Sequence, residues 1–373
     1  MDISLPRIVG NGDLLTRIKR DVMSSSLSHA YIIEGPYGSG KHTLAKYISL
    51  ALSCRYSPLN KNRKNEEISF FDMFDEPAES DPDGADDRLP CCFGAGEELC
   101  PSCRKLLEGK SPDIYLIGRD GKASIGIETV RNLKDTVYLA PIDGESKIYI
   151  IEDADTMTTQ AQNALLLTLE EPPPYVLFLL LCTSADGLLE TIRSRAPRFR
   201  TEPIRDDVMR DYIISESRAA KNLLDTAKDE FDTVILSSDG CIGKALDLLD
   251  VKARRPILQR RAAADAFIEC CIKRRAANTF DAINMFGTKR DEASEILECI
   301  KLALRDLLLL KKSENITLKY YTDFERAIEL SDSITSDGIL TVFKAVENAS
   351  YSFERNGNVR LTLMRMCVET GLL

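Results

Sequence analysis

Gly35-Pro36-Tyr37-Gly38-Ser39-Gly40-Lys41-His42-Thr43 lies between an apolar run, Ala30-Tyr31-Ile32-Ile33-Glu34, and a segment from Thr43 to Ser53 that reads as a helix. The form G-x-x-x-x-G-K between a strand and a helix is the skeleton of a phosphate-binding loop. Its glycines let backbone N–H groups turn inward around an anion, the helix N-terminus adds a favourable dipole, and Lys41 would reach the outer phosphates. Gly35, Gly38, Gly40, Lys41, His42 and Thr43 are the candidate nucleotide-binding residues of this stretch. One position departs from the pattern. After the lysine, Ser or Thr normally supplies a hydroxyl to Mg²⁺, and here the residue is His42. Mg²⁺ is small, hard and strict about octahedral oxygen ligands, so imidazole is a poor replacement. Thr43 lies about 100° further round the helix and cannot simply step in. The loop is expected to favour phosphate binding over metal-assisted hydrolysis.

Outward from the loop, β-rich runs alternate with helical segments up to about residue 203. The runs are Ala30-Tyr31-Ile32-Ile33, Asp113-Ile114-Tyr115-Leu116-Ile117, Lys147-Ile148-Tyr149-Ile150-Ile151 and Val176-Leu177-Phe178-Leu179-Leu180-Leu181. Runs apolar on both faces read as buried parallel strands, which predicts a doubly wound α/β domain over 1–203. The third run ends in Glu152-Asp153-Ala154-Asp155, acids at a strand end in the Walker B form. There the metal-side acid is normally Asp and the water-aligning acid Glu; here Glu152 precedes Asp153, so each arm differs by one methylene, and catalytic geometry is unforgiving at about 1 Å. A relic site and a weakly working one both fit this order.

The stretch 57–90 interrupts the alternation. It is rich in Asn, Lys, Asp, Glu and Pro around Phe70, Phe71 and Phe74, and reads as a disordered surface insertion or, on its aromatic residues, as a docking peptide. Beyond Pro203 strand signals stop. Residues 204–250 read as a small helical domain and 251–373 as a larger one, with Ile296, Leu297, Ile300, Leu304, Leu307 and Leu308 at helical spacing and a loop at Asn315 to Leu318.

The 373 residues are 44% hydrophobic and 29% charged, with a formal net charge of −10. A protein that grips DNA alone usually carries a basic footprint, so contact with DNA through shared surfaces is the expectation. No run approaches the roughly 18 apolar residues of a membrane span, and the start has no signal-peptide layout; the expected location is cytoplasmic. Eleven cysteines in such a chain are not expected to form disulfides. Cys182, Cys241, Cys270, Cys271, Cys299 and Cys367 read as small core hydrophobes. Cys100-Pro101-Ser102-Cys103 is a C-x-x-C, with Cys54 and the pair Cys91-Cys92 upstream. Four thiolates in tetrahedral array suit a closed, structural Zn²⁺ site; a redox C-x-x-C is the rival reading.

Several stretches together resemble the AAA+ subunits of bacterial clamp loaders. They are Ser28-His29-Ala30-Tyr31, Asp153-Ala154-Asp155-Thr156-Met157, Asn163-Ala164-Leu165-Leu166, Leu169-Glu170-Glu171-Pro172-Pro173, the sensor 1-like Leu181-Cys182-Thr183-Ser184, and Ile192-Arg193-Ser194-Arg195-Ala196 in place of the Ser-Arg-Cys motif; Asn358-Val359-Arg360-Leu361 resembles the close of the family's last domain. The resemblance is dense from Ile8 to Pro203 and thinner beyond. It implies an α/β then all-α architecture: an AAA+ P-loop parallel-sheet domain with a zinc knuckle (1–203), a helical lid (204–250) and a helical collar that oligomerises (251–373). It adds Glu152, Asp153 and Thr183 to the nucleotide set. It implies that Arg195 is offered in trans to ATP on a neighbouring subunit, and that a zinc knuckle uses Cys54, Cys100, Cys103 and either Cys91 or Cys92, with Cys91 favoured because Pro90-Cys91 resembles the family's Pro-Cys. Ala196 replaces the motif's Cys, and Gly243 in Cys241-Ile242-Gly243-Lys244 stands where motor subunits carry a sensor 2 arginine. A chain that keeps the arginine it lends but lacks parts of its own pocket resembles the delta-prime type. That type implies little or no ATPase of its own, and gamma/tau and delta subunits, the sliding clamp indirectly and primed DNA through the complex as partners. The alternatives are an active gamma/tau-type motor and, from another class, a zinc-dependent binding module with a vestigial loop.

Overall fold

The computed structural model describes residues 8–24, 27–57, 90–92, 99–119, 121–273, 279–312 and 316–372. The expected disordered or docking insertion, with Phe70, Phe71 and Phe74, lies outside the described residues apart from its ends, Ser57 and Pro90. The chain divides into two compact units, Met1–Ile204 and Arg205–Leu373.

The described residues of the first unit form five strands, β1 (Ala30–Glu34), β2 (Ile114–Ile117), β3 (Lys147–Ile151), β4 (Val176–Cys182) and β5 (Arg198–Arg200), and the helices α1 (Gly12–Met23), α2 (Lys41–Ser53), α3 (Pro101–Leu107), α4 (Ile127–Val137), α5 (Thr159–Glu170) and α6 (Glu190–Arg193). The sheet order is β2-β3-β4-β1-β5 and every pairing is parallel. Because side chains alternate along a strand, the apolar runs feed two cores. Ala30, Ile32, Tyr149, Ile151, Phe178 and Leu180 pack with Val130 and Leu133 of α4 and Ala161 and Leu165 of α5. Tyr31, Ile33, Ile148, Leu179 and Leu181 pack on the other face with Ile18 and Val22 of α1 and Leu44 and Ile48 of α2. Each fully buried Val, Leu, Ile or Phe side chain among them stabilises the fold by about 1.5–3 kcal/mol. Tyr115, Tyr149 and Phe178 sit at paired positions of β2, β3 and β4 and stack with ring centroids 4.8 and 5.4 Å apart.

Three details depart from the sequence-based expectation. The strand β2 is an edge, so Leu116 is 64% exposed rather than buried on both faces. The helix after the loop begins at Lys41, because Gly40 caps it with φ 90°. The short strand β5, charged at both ends, had no apolar run to announce it; Phe199 alone is buried there.

The second unit is helical: α7 (Asp206–Glu216), α8 (Arg218–Thr226), α9 (Lys228–Ser237), α10 (Ile242–Leu248), α11 (Val251–Lys273), α12 (Thr279–Asn284), α13 (Arg290–Leu310), α14 (Phe324–Asp332), α15 (Ser336–Glu354) and α16 (Val359–Glu369). Its main core gathers Phe267, Phe286, Leu297, Ile300, Leu304 and Val346. The side chain of Asn358 caps α16 by accepting from Leu361 N at 3.1 Å. The buried Asp306 accepts the N–H groups of Lys319 and Tyr320 at 2.9 and 2.7 Å, which folds that connection back onto α13. Buried Arg254 of α11 pairs with Glu230 of α9 at 2.9 Å and donates to Leu248 O and Leu249 O at the end of α10. No described helix is long and apolar enough to cross a membrane.

Candidate functional site

The connection leaving β1 runs to the far edge strand β2, while that leaving β4 runs to β5 on the other side of β1. A crevice at the carboxyl ends of the strands, where the order reverses, is where open α/β sheets take ligands. The Gly35–Lys41 loop lies there. Gly35 N donates to Cys182 O at the end of β4 (3.1 Å). No side chain fits at this position: a Cβ on Gly35 would stand 1.9 Å from Thr201 Oγ1, which itself hydrogen-bonds Ser39 Oγ at 2.9 Å. Gly38 and Gly40 carry φ values of 76° and 90°, the left-handed turns that let the loop curl. Lys41 Nζ donates to Gly35 O (2.5 Å) and Pro36 O (2.9 Å), so its charge lies inside the loop.

The acids around this loop each have a partner. Exposed His42 meets Glu152 with Nδ1 to Oε1 at 3.0 Å. Asp153, held at φ 48°, pairs with Arg119 at 2.7 Å. Asp155 Oδ2 accepts from Thr183 N (3.1 Å) and Ser184 N (3.5 Å), tying the end of β3 to the sensor 1-like end of β4. Buried Glu34, just before the loop, is ion-paired with Arg198 of β5. Thr43 stands half-buried in the first turn of α2. Mg²⁺ fits this donor set poorly. The imidazole offers nitrogen to an ion that requires oxygen, and its Nδ1 is already engaged by the carboxylate beside it.

Arg195 lies on the surface just beyond α6. Its guanidinium donates to Thr191 O (2.9 Å) and to Glu170 Oε1 at the end of α5 (2.8 Å). Gly243 lies in α10, and its neighbour Lys244 is engaged by Asp239 at 2.8 Å.

The sulfurs of Cys54, Cys91, Cys100 and Cys103 all lie within 4.8 Å of one another, and all four residues are buried. Cys92 is not in this group; it packs, partly buried, against the neighbouring core. Cys54 sits at the end of α2 and Cys100 caps α3, accepting from Cys103 N. The Sγ of Cys54 is 3.6 Å from that of Cys91 and 3.8 Å from that of Cys100. A tetrahedral site with Zn–S of about 2.3 Å has S···S edges of about 3.8 Å, so the four residues fit a zinc ion. Hydrogen bonds from Cys103 and Cys54 hold the Cys100 thiol well below its ordinary range, while the bond to Cys100 pushes Cys54 up to about 12. The first deprotonation of the cluster is thereby favoured at Cys100.

The family model described as "DNA polymerase III, delta subunit" matches residues 91–205. The "DNA polymerase III subunit tau" of Bacillus subtilis is 23% identical over 370 residues, 95% of this chain and 59% of that protein. The Escherichia coli protein of the same name is 28% identical over 249 residues, 62% of this chain and 33% of that protein. In sequence the chain is similar to the AAA+ subunits of bacterial clamp loaders. It spans less than two thirds of the length of the curated relatives it matches.

Within this fold, tertiary contact reveals two supporting residues that spacing did not single out. Gln162, buried on α5, donates to Met157 O and Gly187 O and accepts from Leu189 N at 2.7 Å, fixing the loop that leads to α6 and Arg195. A polar residue on the stripe of Leu165 and Leu169 was the available signal. Thr201, packed under Gly35, had none.

Proposed function

We propose that this chain is a delta-prime-type subunit of a DNA polymerase III clamp loader, with little or no ATPase of its own. In this reading it joins gamma/tau and delta subunits and helps place the sliding clamp on primed DNA, its contacts with clamp and DNA being made through the complex. Arg195 acts in trans on ATP held by a neighbour. A fixed guanidinium there neutralises the charge developing on the transferred phosphoryl group, and such arginines contribute roughly 10³–10⁵ in rate. Residues 204–250 serve as the lid and 251–373 as the collar. Cys54, Cys91, Cys100 and Cys103 hold a structural Zn²⁺, which closes the cysteine-bearing segment onto α2.

The observation that carries the reading is an asymmetry. Arg195 is presented at the surface on Glu170, while the two positions that would hold Mg²⁺ are joined as the His42–Glu152 pair. The test is ATPase turnover of a loader reconstituted with motor subunits, delta, clamp and primed DNA. Arg195→Ala is expected to collapse turnover and Lys41→Ala to leave it nearly unchanged. The opposite pattern, with hydrolysis by the isolated chain, would establish the second reading, an active gamma/tau-type motor, which the names of its relatives favour.

A further inference from the structure

We propose that the Gly35–Lys41 loop binds a nucleoside di- or triphosphate without a divalent cation. This goes beyond the arginine-donor reading and does not depend on it. In an ordinary loop of this kind, Mg²⁺ bridges phosphate oxygens and offsets their repulsion from the acids at the strand ends. Here the protein itself gives each of those acids a hydrogen-bonding or cationic partner. Glu152 is bridged by His42 at 3.0 Å, Asp153 by Arg119 at 2.7 Å, Glu34 by Arg198, and Asp155 by two backbone N–H groups. None of these carboxylates needs a metal before an anion can approach.

The anion-binding half of the site is intact. The left-handed Gly38 and Gly40 shape the loop, Gly40 opens the 13-residue α2, and the Lys41 ammonium sits against the carbonyls of Gly35 and Pro36. A phosphate oxygen in place of either carbonyl would accept a charge-assisted bond of the stronger kind. The metal half is replaced: a divalent ion entering between His42 and Glu152 would first have to break their contact, and would then meet one nitrogen in place of an oxygen. The ligand is therefore a metal-free polyphosphate, held by the loop N–H groups and Lys41.

The test is calorimetric titration of the full chain with ADP and with ATP, in millimolar Mg²⁺ and in EDTA. The wild type is expected to bind with affinities equal within about twofold in the two buffers, and Lys41→Ala to weaken binding about tenfold or more. His42→Thr combined with Glu152→Asp restores the oxygen ligands and is expected to make binding tighten with Mg²⁺; His42→Thr alone serves if the double variant melts early. Tightening of wild-type binding by Mg²⁺ of about tenfold or more, or failure to bind either nucleotide at millimolar concentration, overturns the proposal. Neither outcome bears on whether Arg195 serves a neighbour, so the two readings fail separately.

Discussion

The phosphate loop and the cysteine cluster stand at the two ends of one helix: Gly40 caps the N-terminus of α2, and Cys54 follows its C-terminus. Both gather the donor atoms of a cation site, yet they differ in what those donors touch. At the cysteine end, buried sulfurs lie against one another and against the backbone N–H groups of Cys91, Cys100 and Cys103. At the loop end, every acid faces a positively charged or N–H partner from elsewhere in the chain. A cluster of ligands that answer mainly to one another is completed by an ion. A cluster already answered by the protein is not.

Breaking the cysteine end should have the largest effect. Cys103→Ser is expected to abolish a one-to-one zinc content, read by metal analysis, and to destabilise the first unit by about 4 kcal/mol or more, a loss in Tm of roughly 10 °C. Cys92→Ser is expected to leave the zinc content unchanged, since Cys92 stands outside the group. Retention of zinc by Cys103→Ser would break the comparison.

Gly35→Ala tests the close packing under the loop. Its Cβ would press on Thr201 Oγ1, an overpacking that costs about 1–3 kcal/mol. Thr201→Ala in the same chain should recover part of that loss, because contacting residues couple; additive losses would disprove the contact. The smallest effect belongs to His42→Ala. That side chain is 63% exposed, and exposed pairs contribute about 0–1 kcal/mol, so its Tm should move by no more than roughly 4 °C. A larger fall would mean that the pair holds the fold together, unlike an ordinary surface bridge.

Much of this was legible in the chain itself. The strand–loop–helix around Lys41 is local, and the strands β3 and β4 are long apolar runs that only a buried sheet accommodates. The edge strand β2 and the brief β5 were harder to read. Which strand becomes an edge, and which charged tripeptide joins a sheet, depends on neighbours far away in sequence.

The sites divide along the same line. Residue types and spacing marked Lys41, the strand-end acids and the C-x-x-C, because glycine turns, carboxylates and thiols have chemistry wherever they sit. Tertiary structure decided which of them meet. The order β2-β3-β4-β1-β5 sets the ends of β1, β3 and β4 side by side, bringing His42 to Glu152, Arg119 to Asp153 and Arg198 to Glu34. The same folding places Cys91, and not Cys92, against Cys54. Local sequence carries propensity and chemistry; partnership across a hundred residues is fixed only when the sheet closes and each buried or half-buried charge must find its counterpart.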